Sequence, residues 1–473
     1  MKQTTAIILF LLAINTASAQ HHEPHEKAEM WKGKQTTTDN ESGILHAFKN
    51  GTVHGHARYY FMTTDNAPGL SDYYANAAGG GIKYETAKFK NFQFGVSGFF
   101  VFNIGSSNME QADPVTNQPN RYEVGLFDIT DPGNKVDIDR LEELYLKYSK
   151  GNSHIVLGKQ LINTPFINLQ DGRMRPTEVS GLWGEFNQLK NTKIEGGYIY
   201  SISPRSTVRF YTIGESIGLY PAGVNSDGGR SDYAGNQESN GAAMLGVSHS
   251  VNSRLQLKAY DLYVDNIFNT ALLQAEYTLF KINDGRIAAG GQYIRQDAVN
   301  EGGNADVRKA YYTPGGKAQT FGARLEYKNK NWRTSVNYNR ITKDGRYLMP
   351  REWGKDPFFT FMPRERNEGF GDVHAYVVKG SYDFPKVGIK TQLAAGYFNL
   401  PYVTDYALNK YGMPSYAQLN ADVRYAFRDF LEGWDVQLLY VYKMNIGETY
   451  GNDKYVINKV DMSVFNFVVN FHF

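Results

Sequence analysis

The sequence contains no cysteine. Disulfides, thiolate-bound metals and a lipoprotein acylation site are therefore excluded together. Beyond its first residues it also lacks any apolar run of the roughly 18 residues from which a spanning helix is read. Nor is there an excess of one charge: 50 Lys and Arg stand against 48 Asp and Glu, so no global field draws the chain to nucleic acid or anionic lipid. Selectivity has to come from local charge. Proline (16) and methionine (11) are sparse, whereas Tyr (34), Phe (28) and Gly (47) are abundant among the 473 residues. That balance favours pleated strands joined by tight turns over helices.

At the front, "MKQTTAIILFLLAINTASAQ" places Lys2 before an apolar stretch from Ala6 to Ile14 and ends in Ala17-Ser18-Ala19. The stretch is about half of what a spanning helix requires, and the small residues suit a signal peptidase. Residues 1–19 are expected to be an export signal. Residues 20–45 read as a flexible, histidine-containing tail and residues 46–473 as the folded unit. Cleavage would leave Gln20-His21-His22, followed by His25. A histidine third from a free amine chelates Cu(II) or Ni(II), so His21, His22 and His25 are the candidate metal ligands. Cyclisation of Gln20 would remove that amine, and a polar tail of this kind is commonly just disordered. No resident cofactor is implied elsewhere.

The remainder alternates with a period of two. In "FQFGVSGFFVFNIG", Phe92, Phe94, Val96, Phe100, Phe102 and Ile104 share one face, and Gln93, Gly95, Ser97 and Asn103 the other. Leu144, Leu146 and Tyr148 alternate with Tyr145, Lys147 and Ser149; Leu273, Ala275, Tyr277 and Leu279 alternate with Gln274, Glu276 and Thr278. A soluble sandwich shows the same pattern. Three further features favour a transmembrane barrel. Tight turns such as "KINDGR" (281–286) and long segments such as "VNSDGGRSDYAGNQESNG" (224–241) recur between strand candidates, as expected of short turns on one rim and long loops on the other. Aromatics gather near strand ends, as at Tyr59, Tyr60 and Phe61 or Tyr311 and Tyr312, where interfacial girdles would lie. Finally, "VFNFVVNFHF" sets Phe465, Phe467, Val469, Phe471 and Phe473 on a lipid-ready face opposite Asn466, Asn470 and His472. A terminal Phe of this type looks like the signal read by the barrel-assembly machinery. The expected fold is thus an all-β, antiparallel transmembrane barrel, in contact with outer-membrane lipid and compatible with association into a homo-oligomer. Allowing ~25 residues per strand and its loop gives about 18 strands, too many for side chains to fill the lumen.

Several stretches resemble the OprD-type (Occ) substrate-specific porins. "GGGIKYETAKFKNFQFGVSGFF" (79–100) looks like that family's early hairpin. "LGKQLINTPFINLQDGRMRPTEVSGLWGEF" (157–186) looks like its strand and third loop, and "LMPREWGKDPFFTFMPRERNEGFGD" (348–372) resembles a segment of some members. The resemblance implies an 18-stranded barrel in the bacterial outer membrane, an inward-folded third loop, and a lumen lined by arginines that guide small carboxylate-bearing solutes.

In "VHGHARYYF", His54, His56, Arg58 and Tyr60 oppose Val53, Ala57, Tyr59 and Phe61. The apolar set should meet lipid, because a cation near the midplane costs ~2–4 kcal/mol, so Arg58 faces water as a pore residue or as the partner of a neighbouring carboxylate. Asp171, Arg173 and Arg175 fall in the third-loop segment, with Lys159 on the strand before it. Guanidinium forks there suit carboxylates, unless Asp171 neutralises them. Arg351, Arg364 and Arg366 belong to a segment dense in both charges, read either as a loop clamped by ion pairs or as a partner of the third loop.

The function expected is diffusion of small hydrophilic, carboxylate-bearing or amino-acid-like solutes through a water-filled barrel, without catalysis. The alternatives are a barrel hydrolase, for which Asp372 and His374 are the one suggestive pair, and a structural or adhesive barrel. A plug-gated receptor is disfavoured, since little chain separates Ala19 from the first strand candidate. The copper or nickel site is checked by titration: Cu(II) affinity should drop when residues 20–26 are removed, and identical affinity disposes of it.

Overall fold

A computed structural model describes residues 31, 40–170 and 172–473. The segments that alternate in sequence are the strands. In chain order they are β1 (Thr52–Asp65), β2 (Tyr73–Glu85), β3 (Phe92–Asn103), β4 (Ile138–Lys150), β5 (Ser153–Gln160), β6 (Glu178–Phe186), β7 (Thr192–Ser203), the short β8 (Tyr211–Thr212), β9 (Ala242–Ser250) and β10 (Leu255–Val264). They continue as β11 (Phe268–Ile282), β12 (Gly285–Ala298), β13 (Lys317–Lys328), β14 (Trp332–Ile341), β15 (Val373–Phe384), β16 (Ile389–Asn399), β17 (Tyr416–Ala426), β18 (Trp434–Asn445) and β19 (Met462–His472). Among the described residues one α-helix, α1 (Ile44–Lys49), crosses the expected 45/46 boundary, and Asn40 bridges Lys88 beside it.

All nineteen strands belong to one sheet. The two-residue β8 only extends the end of β7, which pairs directly with β9, so eighteen strands form the ring. Closure comes from β1 and β19, antiparallel from His56 opposite His472 to Asp65 opposite Ser463. No edge remains within the ring. This is the structure hydrocarbon demands, because an unpaired backbone amide there finds no water.

Turns between strands on one rim are short. Residues 283–284 join β11 to β12 with Asn283 at φ 52°, a left-handed position that Asn tolerates well. Segments on the opposite rim are mostly long, among them 104–137, 161–177, 204–241, 299–316, 342–372, 400–415 and 446–461. Outer-membrane barrels place the short turns in the periplasm and the long loops outside.

The terminal strand shows which face meets lipid. Phe465, Phe467, Val469 and Phe471 lie on the outside of the ring, while Asn466, Asn470 and His472 are buried inside it. Val464, Val468, Phe99 and Val101 are lumenal as well, which a purely aqueous lumen would not favour. Their partners are loop residues: Met109, Tyr122, Val124 and Leu126 of segment 104–137 pack on them, together with Met174 of the third loop. On the other side, Trp353, Phe358 and Met362 of segment 342–372 anchor in a second apolar cluster. The loops therefore fold inward because they carry their own hydrophobic anchors. Tyr311 and Tyr312 depart from the girdle expectation. They lie in segment 299–316 and are buried, Tyr311 packing edge-on against Tyr233 at 5.0 Å, because this loop too turns in over the lumen.

Outward residues of β19 should be intolerant of charge. Phe467→Arg is expected to destabilise the folded barrel by about 2–4 kcal/mol, measured by denaturant unfolding in detergent or lipid. An unchanged midpoint would mean that Phe467 does not contact hydrocarbon.

Candidate functional site

Two inward loops meet in the middle of the lumen. Segment 161–177, the third loop on its rim, is held to segment 342–372: Asn168 N donates to Trp353 O (3.1 Å), and Thr177 Oγ1 donates to Glu352 O (2.8 Å). From segment 342–372, Arg364 reaches the β1/β19 wall, donating to Asn466 Oδ1 (2.6 Å) and Tyr60 Oη (3.2 Å). Its other nitrogen lies 3.5 Å from Gly172 O of the third loop. Arg364 adopts φ 66°, a conformation that a long side chain seldom takes unless its surroundings fix it. Gln418 and Asn420 of β17 secure the preceding residue by donating to Pro363 O at 2.8 and 3.1 Å.

These loops divide the lumen. A cavity of 930 Å³ lies towards the long loops and one of 520 Å³ towards the short turns, and they share no lining residue. Each loop turns one stretch to either side. Asn163, Thr164, Pro165 and Asn168 of one loop and Lys355 to Phe359 and Phe361 to Pro363 of the other face the inner cavity, whereas Gln170, Gly172, Arg173 and Arg364 to Arg366 face the outer one. The two loops thus form a diaphragm whose outer surface is set with guanidinium groups.

Ion pairs hold that diaphragm. Glu368, buried, accepts from Arg351 Nε at 2.5 Å and from Tyr411 Oη at 3.0 Å, with Lys410 Nζ at 4.0 Å. The Arg351 guanidinium also stacks over the Tyr411 ring at 3.6 Å. Burial works against the Arg351 charge, yet Tyr411 and Glu368 keep its pKa above the ordinary value. Lys410, less well compensated, is pulled down by burial to about 8. Arg366 donates to Gly354 O and Gln170 Oε1 and lies 3.8 Å from Asp356. Of the two readings of this segment, clamped loop and partner of the third loop, the geometry contains both.

The remaining sequence candidates separate. Arg58 lies inside the barrel, donating to Asn470 Oδ1 (2.7 Å) and to Arg173 O (2.8 Å), so it supports the third loop from the wall. Arg173 lines the outer cavity. Burial and the neighbouring Arg364 lower its pKa to about 9. Arg175 turns the other way, forks onto the buried Glu142 carboxylate and lies 4.2 Å over Phe99. It borders neither large cavity. Lys159 requires a correction. By alternation along β5 it shares the face of the exposed Ile155 and Leu157, it pairs across to Leu144, and its ammonium sits 4.2 Å from the Phe210 ring centre. It lines neither cavity, since the lumenal face of β5 is carried by Val156 and Gln160. Asp171, His21, His22 and His25 lie outside the described residues. The hydrolase pair also dissolves: Asp372 accepts from Arg340, and His374, on the outward face with Tyr376, bonds Tyr338 Oη at 2.9 Å.

Several cavity residues escaped the sequence reading: Arg121, Arg205, Tyr220, Lys410, Tyr411 and Lys459. All belong to loops, where no period marks a face. Trp31 was also unforeseen. From ahead of the first strand its indole donates to Glu143 Oε2 (2.9 Å) and lies 5.2 Å from the Arg175 guanidinium, inside the barrel near its short-turn end.

Residues 127–363 match the family model described as outer membrane porin, OprD family. Among solved structures, OpdK of Pseudomonas aeruginosa with vanillate aligns over 90% of this chain and 99% of its own, with a TM-score of 0.68 and 14% identity. OccAB2 of Acinetobacter baumannii gives the same coverage, TM-score and identity. OccD3 (OpdP) of Pseudomonas aeruginosa covers 96% of this chain and 99% of its own at a TM-score of 0.66 and 12% identity. At such identities the likeness is one of fold. No curated protein sequence matches the chain.

Removing the Glu368 carboxylate should strand two buried cations. Glu368→Ala is expected to loosen segment 342–372 at a local cost of about 3–5 kcal/mol, leaving the ring intact. Limited proteolysis should then cut within 342–372 while the wild-type protein resists, and an unchanged digestion pattern would exclude the clamp.

Proposed function

The chain belongs to the OprD family of outer membrane porins, and from that premise we propose that it conducts small carboxylate-bearing solutes through an arginine-faced diaphragm. The family places it in the bacterial outer membrane, and its members are channels rather than enzymes. The observation that carries the finer reading is the placement of Arg173 and Arg364. Both border the outer cavity where the two loops meet, and neither has a carboxylate within 4 Å among the described residues. A carboxylate arriving from the long-loop side replaces its hydration by planar N–H forks. Arg366 and Arg351 line the same cavity, already paired, and offer weaker contacts. Sites of graded strength let a solute enter without being trapped. Vanillate, an aromatic carboxylate present in the OpdK structure, belongs to this solute class. Arg58 and Arg175 act as supports of the third loop in this reading.

Planar-bilayer recordings should show ionic conductance that acetate partly blocks. Arg173→Ala should raise the half-blocking concentration about tenfold, in keeping with the roughly 1.5 kcal/mol of one charge-assisted hydrogen bond. Block unaltered by the substitution would refute the role of Arg173. A folded protein without conductance would instead favour a structural barrel.

Ion preference should also depend on pH. Burial lowers Lys459 to about 7 and Lys410 to about 8, and raises Glu365 to about 8. As pH rises through this range the lysines lose positive charge and Glu365 gains negative charge, so every change makes the outer cavity less positive. Reversal potentials in a salt gradient should show anion preference declining between about pH 6 and about pH 9. A constant preference would mean that these groups do not set it.

A further inference from the structure

Among the described residues, seven arginines and three lysines line the outer cavity with a single carboxylate, Glu365. The inner cavity is different: eight cations there face four carboxylates, and pairs such as Arg324 with Glu276 (2.9 Å) offset much of the charge. Of the ten outer cations, Arg351, Lys410, Arg366 and Arg230 have a carboxylate within 4 Å. The other six, Arg121, Arg173, Arg205, Arg364, Lys454 and Lys459, have none among the described residues.

Neutral acceptors serve five of these instead, and the Lys454 ammonium lies 4.8 Å from the Tyr455 ring centre. Arg121 donates to Asn458 O (3.0 Å), Lys459 Nζ to Lys454 O (2.6 Å) and Arg205 Nε to Tyr220 Oη (3.3 Å). The Nε atoms of Arg173 and Arg364 are buried with no partner among the described residues. Burial together with Arg121 and Lys454 depresses Lys459 to about 7, which is the signature of like charges collected where water is scarce. An oxyanion relieves that repulsion and also supplies the missing acceptors.

The six are spread over several loops. Arg173 and Arg364 sit on the diaphragm, Arg205 in segment 204–241, Arg121 in segment 104–137, and Lys454 and Lys459 in segment 446–461. A monocarboxylate occupies one guanidinium fork and leaves the rest uncompensated. A solute with a second anionic group can engage the diaphragm and the Arg121/Lys459 side together. The volume of 930 Å³ accommodates a small-molecule ligand of that kind.

We propose that the outer cavity recognises small solutes carrying two or more anionic groups, polycarboxylate or phosphate-bearing, in preference to monocarboxylates. This rests on the channel reading above and narrows its solute class. Arg121 and Lys459 are the specificity-determining residues, since they hold the group that a monocarboxylate lacks.

The test compares acetate, citrate and inorganic pyrophosphate as blockers of the purified full-length protein in planar bilayers, at matched ionic strength and added from the long-loop side. Citrate, pyrophosphate or both should half-block at a concentration about tenfold or more below that of acetate. Advantage for citrate alone identifies polycarboxylates, and advantage for pyrophosphate alone identifies phosphate-bearing solutes. In the Arg121→Gln/Lys459→Gln variant, checked for folding by heat-modifiable mobility, most of the advantage should disappear, while Lys459→Arg should retain it. Equal half-blocking concentrations for all three anions overturn the proposal but leave the carboxylate channel standing. An advantage that persists undiminished in the double variant removes it from this cavity. Failure of all three anions to block, or absence of conductance, overturns the channel reading and this proposal together.

Discussion

The pairing of β1 with β19 is the interaction on which the rest of the molecule depends. Inside hydrocarbon each strand must satisfy both of its hydrogen-bonding edges, and only a ring achieves this for every strand at once. Once closed, the ring fixes the meaning of every alternate side chain. Phe465, Phe467 and Phe471 cover the outside with aromatic surface, and Asn466 and Asn470 become the inner wall to which Arg364 and Arg58 attach. The diaphragm is therefore anchored on the seam itself.

A ring of eighteen strands is too wide for its own side chains to fill, and what fills it decides what passes. Here the filling is done by loops with apolar anchors, such as Leu126 against the Phe99 side and Trp353 against the opposite wall. Charge is arranged on top of those anchors. Glu368 pairs with Arg351 and Lys410 and so holds the loop, whereas Arg173, Arg364 and Lys459 have no such partner among the described residues. A neighbouring carboxylate thus distinguishes the cations that clamp the loop from the others around the outer cavity.

The strands were legible because the period of two is imposed by the membrane, and the orientation of segments such as 92–104 or 465–473 follows from it directly. Arg58 was placed in the lumen by the same reasoning. Lys159 was not, since its segment was judged by motif rather than by stepping from Leu157, which faces outward. Loops carry no period at all. Tyr311 and Tyr312 looked like a girdle yet turned inward, and Arg121, Lys410 and Lys459 gave no signal because their convergence is produced by chain segments hundreds of residues apart. The charge density around 346–368 marked the right loop, but not which of its arginines are spent on Glu368 and Asp356 and which remain available.

The seam joins residues 56–65 to residues 463–472. Every other neighbouring pair of ring strands is sequential apart from the inserted β8, so hairpins can form as the chain emerges, but this last contact spans nearly the entire polypeptide. Contacts so distant in sequence form slowly, and until then two unsatisfied edges face outward. Biogenesis therefore has an all-or-nothing last step: the cylinder can seal only after β19 has been delivered, and a truncated product would present paired sheets with sticky margins rather than a smaller pore.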